Sequence, residues 1–207
     1  MRTIAHRGLF SPTFKQNTLE GVLEVIERHH EVDMVEIDVR FTTDRRVVLC
    51  HDREYRNNRE NCTLEIFLKE MQKKTIDVMI DIKAFGILEA QRLARAVVET
   101  CSNYCNSFMI WLCSFNEYCV SELLSIRETT GCNFKVGVIS SGIPLGMFNH
   151  LENIDFVSLD YSCVCEDVVE RLHNDGRSLE LFVWVVNDES MKRLMASYKV
   201  DGLIQDF

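Results

Sequence analysis

The chain has 207 residues, of which 46% are hydrophobic and 27% are charged, a composition that supports a well-filled globular core. Acidic residues outnumber basic ones by 32 to 23, which gives a formal net charge of -9 at pH 7. This balance argues against binding driven by nucleic-acid phosphates or by an anionic membrane surface. The length, and the absence of a linker-like or repetitive stretch, predict one domain over residues 1–207.

The cysteines and the first residues of the chain bear on the compartment in which the protein works. There are nine cysteines, an odd number, and no CxxC pair, so neither a disulfide framework nor a zinc site is indicated. The sequence MRTIAHRG lacks an apolar segment of signal-peptide length, and no apolar run is long enough to span a bilayer. We therefore expect a cytoplasmic protein without a transmembrane segment, and leave its oligomeric state open.

Strand-like and helix-like segments alternate along the whole chain. Short apolar runs are typical of strands, and longer segments with apolar residues at helical spacing are typical of helices. The predicted strands are Arg2–His6, Met34–Arg40, Val47–Cys50, Ile76–Lys83, Phe108–Cys113, Phe134–Ile139, Ile154–Asp160, Leu179–Val186 and Val200–Ile204. The predicted helices are Asn17–His29, Thr63–Lys74, Ile87–Thr100, Glu117–Thr129, Pro144–Leu151, Glu166–Asn174 and Ser190–Tyr198.

This alternation predicts an α/β protein with a parallel sheet. Apart from the short Val47–Cys50 segment, there are eight strands, which in a chain of this length fit a compact (β/α)8 TIM barrel near the low end of its size range. A doubly wound open sheet is the alternative.

The Met34–Arg40 strand contains two carboxylates, Glu36 and Asp38, in an otherwise apolar run. Residues two apart on a strand point to the same face, so these carboxylates lie side by side. They repel each other unless one is protonated or a cation lies between them, and hard divalent ions prefer oxygen ligands. On this stretch alone, the alternation favours the simpler interpretation of an edge strand with its polar face in water.

Polar residues follow or end most of the predicted strands. In a (β/α)8 barrel the carboxyl ends of the strands form the active site, so this placement indicates a site at that end. The residues concerned are His6, Arg7, Glu36, Asp38, Asp81, Lys83, Ser114, Trp184, Asn187 and Asp206.

A set of short motifs occurs in order along the chain and gives it a family resemblance. The motifs are AHRG (5–8), NT (17–18), EIDV (36–39), TTD (42–44), VVLCHD (47–52), DIK (81–83), SFN (114–116), VWVVND (183–188) and VDGLIQD (200–206). In this combination and spacing the chain resembles the glycerophosphodiester phosphodiesterase family. The resemblance implies a metal-dependent (β/α)8 barrel enzyme that hydrolyses glycerophosphodiesters to glycerol 3-phosphate and an alcohol.

The resemblance also implies roles for the residues that match the motifs. His6 and His51 correspond to the acid–base pair, a role that imidazole suits because its ordinary pKa lies near neutrality. Arg7 and Lys83 would bind the substrate phosphate, whose oxygens a guanidinium fork matches and whose charge an ammonium neutralises. The nucleophile, whether water or a neighbouring hydroxyl of the substrate, is not determined.

The remaining implied roles concern the metal and the pocket. Glu36, Asp38 and Asp81 would bind a divalent cation, Mg2+ or Ca2+, through carboxylate oxygens. Asn17 and Trp184 would shape the pocket. Together these roles imply a small-molecule substrate, either a water-soluble glycerophosphodiester or a lysophospholipid.

The chain departs from the family pattern at several places. Gln16 stands where a glutamate is usual, and Asp81 replaces a glutamate by a side chain one methylene shorter. Only 29 residues, 53–81, connect the HD motif to the end of the next barrel strand, which predicts a much reduced cap insertion. These departures leave two alternatives open: lysophospholipase D-like activity on long-chain lysophospholipids, or a catalytically inactive barrel that binds a phosphodiester.

Overall fold

The computed structural model describes residues 1–52, 61–104, 106–143, 153–174, 176 and 179–207. Its strands are β1 Arg2–His6, β2 Met34–Phe41, β3 Val47–Leu49, β4 Asp77–Ile82, β5 Ile110–Ser114, β6 Lys135–Ser140, β7 Phe156–Asp160, β8 Glu180–Trp184 and β9 Gly202–Gln205. Its helices are α1 Leu19–Arg28, α2 Leu64–Met71, α3 Gly86–Cys101, α4 Glu117–Thr130, α5 Glu166–His173 and α6 Glu189–Ser197. A 3-10 turn covers Tyr161–Cys163.

Eight parallel strands close into a barrel. Around the barrel the order is β1, β9, β8, β7, β6, β5, β4 and β2, and β1 pairs with β2 to complete the circle. The predicted (β/α)8 barrel is therefore confirmed, and the open doubly wound sheet is wrong. Strand β3 lies outside this circle and pairs antiparallel with Val39–Phe41, the part of β2 that extends beyond its pairing with β1.

The barrel interior is a packed core of large side chains rather than a channel. Ile4, Met34, Met79, Trp111, Cys113, Ile139, Phe156, Phe182 and Ile204 form this interior cluster. Gly137 and Gly202 give the rings room, because a Cβ on Gly137 would lie 2.4 Å from the Phe156 ring and one on Gly202 would lie 2.9 Å from Phe182. The opposite faces of the strands pack against the helices in a second, larger core.

The strand that carries Glu36 and Asp38 is central, not an edge. It pairs in parallel with β1 on one side and with β4 on the other, and both carboxylates are buried. The edge-strand interpretation is therefore wrong, because barrel closure covers a polar face that a single strand would leave in water. The predicted helix at residues 144–151 lies outside the described residues. Within the described part of the chain, no helix is long and apolar enough to cross a bilayer.

Candidate active site

The polar site continues directly from the barrel core along the same strand faces. Because side chains two apart share a face, each interior core residue is followed two positions later by a residue at the carboxyl end of the barrel. The pairs are Ile4 and His6, Met34 and Glu36, Met79 and Asp81, Phe156 and Ser158, and Phe182 and Trp184. The core thus forms the floor of the site.

Three buried carboxylates, Glu36, Asp38 and Asp81, meet at this floor. Each carboxylate offers one oxygen as a possible metal ligand. These three oxygens lie within 4.8 Å of one another. Considering only the residues that the structure describes, Glu36 Oε2 and Asp81 Oδ1 are buried without a hydrogen-bond partner, whereas Asp38 Oδ1 lies 3.1 Å from Lys83 Nζ. Buried oxygens without donors are costly unless a cation binds them. The donor set therefore fits a hard divalent cation, and the three predicted ligands do come together.

The protonation of the metal-free cluster follows from burial and mutual repulsion. Burial raises the pKa of Glu36 well above its usual value, and the neighbouring Asp38 and Asp81 carboxylates raise it further. Burial likewise raises the pKa of Asp81 to about 6, although Lys83 opposes this rise. Asp38 differs, because Lys83 and Arg7 outweigh its burial and lower its pKa. Without a cation, burial and repulsion thus favour the protonated form of Glu36.

Lys83 and Arg7 place two fixed positive charges beside the carboxylates. Lys83 Nζ lies 3.1 Å from Asp38 Oδ1 and also donates a hydrogen bond to Asp81 Oδ2. Those two carboxylates outweigh the effect of burial and raise the pKa of Lys83. With all groups ionised, three negative and two positive charges leave a net charge of minus one. A divalent cation would change this to plus one, which complements the single negative charge of a phosphodiester.

The loop after β1 brings Arg7 to Asp38 and requires unusual backbone angles. Arg7 and Gly8 have φ values of 60° and 81°, and the Arg7 amide donates to Glu36 O over 2.9 Å. Arg7 Nε lies 2.8 Å from Asp38 Oδ2, and Arg7 Nη1 donates to Gln16 Oε1 over 3.3 Å. The left-handed region is unfavourable for a residue with a Cβ, so the fold maintains it here where Arg7 reaches the site.

Asn17 is buried and supports Asp38 through two hydrogen bonds. Its Nδ2 donates to Asp38 Oδ2 over 2.8 Å, and its Oδ1 accepts the Asp38 amide over 2.9 Å. Asn17 also has a left-handed φ of 55°, which asparagine tolerates better than most residues. The following residue, Thr18, caps α1 by accepting a hydrogen bond from Gly21 N. Asn17 therefore fixes the position of one predicted metal ligand.

His6 is oriented by residues near the other end of the chain. Its Nδ1 lies 2.7 Å from Asp206 Oδ1, and Asn187 Nδ2 donates to Asp206 Oδ2 over 2.8 Å. A carboxylate only accepts, so His6 Nδ1 is the protonated nitrogen and Nε2 is left for proton transfer. The hydrogen bond from His6 also lowers the pKa of Asp206. Sequence reasoning noted Asp206 at a strand end but did not connect it with His6.

His51 reaches the site through the short antiparallel strand β3. The Cys50 amide donates to Asp38 O over 2.9 Å, which holds the residue before His51 against β2. His51 Nδ1 lies 2.9 Å from Asp52 Oδ1. This histidine–aspartate pair resembles that of His6 and Asp206 but is more exposed. Both imidazoles therefore have a carboxylate at Nδ1 and an Nε2 that is free to exchange a proton.

One cavity of about 140 Å³ collects eight of the nine predicted site residues. All but Asn17 line it, together with Met79, Phe115, Ile139, Ser158 and Ile204. Ser158 Oγ and Trp184 Nε1 are buried and have no hydrogen-bond partner among the described residues, so both can serve a ligand. Ser158 was missed from the sequence, although its position two residues after Phe156 would have indicated it. Ser114 instead donates to Ile82 O over 2.6 Å and links two strand ends.

The sequence of the N-terminal third points to one family. Residues 6–72 match the model of the glycerophosphoryl diester phosphodiesterase family. This segment contains six of the nine predicted site residues: His6, Arg7, Asn17, Glu36, Asp38 and His51. No curated protein sequence matches the chain.

Solved structures extend the likeness to the whole chain. A phosphodiesterase from Oleispira antarctica in complex with the product sn-glycerol-3-phosphate has a TM-score of 0.85 at 19% identity, over 100% of this chain and 93% of the other. A glycerophosphodiester phosphodiesterase from Parabacteroides distasonis gives 0.81 at 19% identity, over 99% and 92%. One from Agrobacterium tumefaciens gives 0.64 at 17% identity, over 99% and 96%. At these identities the structures establish the fold alone.

Fold and site together define a (β/α)8 barrel with a carboxylate-lined cavity at the carboxyl ends of its strands. Within that class, the sequence predicts a resemblance to the glycerophosphodiester phosphodiesterase family. The family match over residues 6–72 confirms this resemblance.

Proposed function

We propose that this protein is a phosphoric diester hydrolase that cleaves glycerophosphodiesters to glycerol 3-phosphate and an alcohol. The observation that carries the proposal is the convergence of two carboxylate-oriented histidines, three clustered carboxylates and two cationic side chains on one cavity. The family match over residues 6–72 supports this reaction class. The product bound to the similar Oleispira phosphodiesterase, sn-glycerol-3-phosphate, is consistent with it.

The chain's own residues divide the reaction into phosphate binding and proton transfer. Arg7 and Lys83 hold the phosphodiester and stabilise the charge that builds on its oxygens in the transition state. One of the imidazoles of His6 and His51 takes a proton from the attacking hydroxyl at Nε2, and the other donates one to the leaving alkoxide. The sequence and the geometry leave open which histidine does which, and whether water or a substrate hydroxyl attacks.

Glu36, Asp38 and Asp81 would hold the divalent cation, Mg2+ or Ca2+. When bound, such an ion polarises a phosphoryl oxygen and stabilises negative charge. Glu36 would be ionised more readily beside such a cation, because the raised pKa of that carboxyl reflects burial and repulsion that a positive charge offsets. Asn17 keeps Asp38 in position for this role, and Trp184 forms one wall of the cavity.

The direct test is release of glycerol 3-phosphate from glycerophosphocholine, measured through a coupled dehydrogenase with Mg2+, with Ca2+ and with chelator. Wild type, His6→Ala and His51→Ala are compared with His173→Ala. His173 is a matched control because its Nε2 lies 3.0 Å from Asp201 Oδ2, in another histidine–aspartate pair outside the cavity. We expect metal-dependent turnover that both site variants lose and the control keeps.

A second candidate, lysophospholipase D-like activity, is favoured by an apolar rim beside the cavity. Phe85, Ile87, Leu88, Phe115 and Tyr118 are 41–66% exposed on the loops and helix starts after β4 and β5. A cavity of about 400 Å³ between these loops is lined by two of these rings and also by Lys83, next to the phosphate-binding groups. Exposed apolar surface of this kind marks binding sites for apolar groups.

This second candidate predicts that lysophosphatidylcholine is a better substrate than glycerophosphocholine. Leu88→Ser should then lower turnover of the long-chain substrate while leaving the water-soluble one unchanged. Leu194→Ser is the matched control, because Leu194 is also an exposed leucine but lies on α6, outside the described cavities. Stabilisation of the fold by either diester without any product would instead indicate a barrel that binds and does not hydrolyse.

A further inference from the structure

Arg40 is a buried arginine on β2 whose function the motif analysis did not address. It lies two residues after Asp38 and is only 7% exposed. Its guanidinium donates two hydrogen bonds to backbone carbonyls, from Nε to His51 O over 2.7 Å and from Nη1 to Lys83 O over 2.9 Å. One side chain therefore connects the backbones of a predicted acid–base residue and a predicted phosphate-binding residue.

The partners of Arg40 are unusual for a buried charge. Within the described part of the chain, no carboxylate lies at ion-pair distance from it, and its other close neighbour is the Phe85 ring, 4.8 Å away. A buried charge is costly unless polar groups satisfy it, and neutral carbonyls are weaker partners than a carboxylate. The fold therefore accepts a cost at this position. The guanidinium suits it because its planar fork can donate to two acceptors at fixed separation.

The two connected segments are anchored separately on β2, by the Cys50 amide on Asp38 O over 2.9 Å and by the Lys83 amide on Val39 O over 3.0 Å. His51 lies two residues beyond β3, a strand of only three residues, and Lys83 directly follows the last residue of β4. Among the described residues no backbone N–H donates to the His51 and Lys83 carbonyls, and Arg40 supplies the donors instead. Loss of this connection would let the imidazole and the ammonium shift independently.

We propose that Arg40 is a positioning residue that fixes His51 relative to Lys83, so that proton transfer and neutralisation of phosphoryl charge take place in one geometry. This inference rests on the proposed hydrolase function. Its effect is exerted through the two backbones and not by contact with the substrate. Misplacement of reacting groups by about 1 Å can cost about 10²-fold in rate.

The test compares Arg40→Met and Arg40→Lys with Arg127→Met. Arg127 is a matched control because it too is a partly buried arginine that donates to backbone carbonyls, of Phe134 and Asn153, but outside the cavity. The measurements are kcat and KM for glycerophosphocholine, together with thermal unfolding, at a temperature where all variants are folded.

We expect Arg40→Met to lower kcat roughly 10–100-fold with little change in KM, because the displaced groups act in the transition state. Arg40→Lys keeps the charge but cannot donate as a planar fork, so it should recover only part of the loss. Arg127→Met should lose stability without losing kcat. The proposal fails if Arg40→Met loses no more turnover than Arg127→Met, or if lysine restores full activity.

A second measurement does not depend on turnover. Ring-15N histidine NMR spectra of the metal-free protein at one fixed pH should show the His51 signals shifted in Arg40→Met and Arg40→Lys. The His6 and His173 signals should stay in place, as all three should in Arg127→Met. If the wild type hydrolyses no diester, the proposed function is wrong, and the NMR comparison alone then decides whether Arg40 positions His51. An unmoved His51 signal would refute that role.

Discussion

Replacement of Asp81 by asparagine tests whether the carboxylate cluster is built for a cation. In the metal-free protein the pKa of Asp81 is raised from 3.8 to about 6, chiefly by burial and also by Asp38, against the opposing effect of Lys83. Between these two pH values the unfolded chain has released a proton that the native state keeps. Stability of the metal-free protein therefore falls as the pH rises through this window, and the loss is complete above about pH 6.

The size of the effect follows from the two pKa values. The difference between about 6 and 3.8 corresponds to about 3 kcal/mol of unfolding free energy. Asparagine cannot ionise and has nearly the same shape, so Asp81→Asn imitates the protonated native state. We expect the variant to be more stable than the wild type by up to about 3 kcal/mol at pH 8 in chelator. The advantage should shrink as the pH is lowered through 6 towards 4.

The assay is urea unfolding in chelator across this pH range, repeated at pH 8 with excess Mg2+ or Ca2+. Added cation should reverse the order, because the wild type gains binding free energy that the variant has largely lost. Asp155→Asn is the control, since Asp155 accepts a hydrogen bond from Lys135 and pairs with Arg127 outside the cluster, so its loss should destabilise. If Asp81→Asn is no more stable than the wild type at pH 8 in chelator, the assigned effect of burial and of Asp38 on the Asp81 carboxyl is wrong.

Three further substitutions probe the supports of the site. Asp206→Asn should lower kcat about 10²-fold at nearly constant KM, because an amide no longer holds His6 in one tautomer; steady-state assays on glycerophosphocholine measure this. Asn17→Ala should weaken divalent-cation binding about tenfold or more in calorimetric titration, because Asp38 loses two hydrogen bonds. Gly8→Ala should lower the free energy of urea unfolding by more than about 1 kcal/mol, because the new Cβ would lie 2.7 Å from a backbone nitrogen at a φ of 81°.

Two of these substitutions, Asp206→Asn and Gly8→Ala, have a matched control within the chain. Asp201→Asn removes the partner of His173, outside the cavity, and should leave kcat unchanged. Gly142→Ala meets no atom within 4 Å and has no positive φ, so its stability should stay within about 0.5 kcal/mol of the wild type. Equal effects of Gly8→Ala and Gly142→Ala would contradict the account of the β1 loop. An unchanged cation affinity in Asn17→Ala would show that Asp38 needs no such support.

The barrel and most of the candidate site could be predicted from the amino-acid sequence. Helical and strand periodicities are local properties, so the alternation of elements could be found without the structure, and the strand bounds agree within a few residues. The two-residue spacing of Glu36 and Asp38 placed them on one face for the same reason. The motif set then supplied the remaining site residues, eight of which line one cavity with only Asn17 behind it.

Features that depend on contacts between distant segments could be found only in the folded structure. Whether β2 is central or at an edge depends on its neighbours, and closure of the barrel by β1 settled that. The bond from His6 to Asp206 spans 200 positions, and no local pattern relates the two residues. In the sequence, Arg40 is an ordinary polar residue of a strand. In the fold, its side chain donates to the carbonyls of His51 and Lys83, which follow β3 and β4. Periodicity is encoded along the chain, whereas the choice of partner arises from packing in three dimensions.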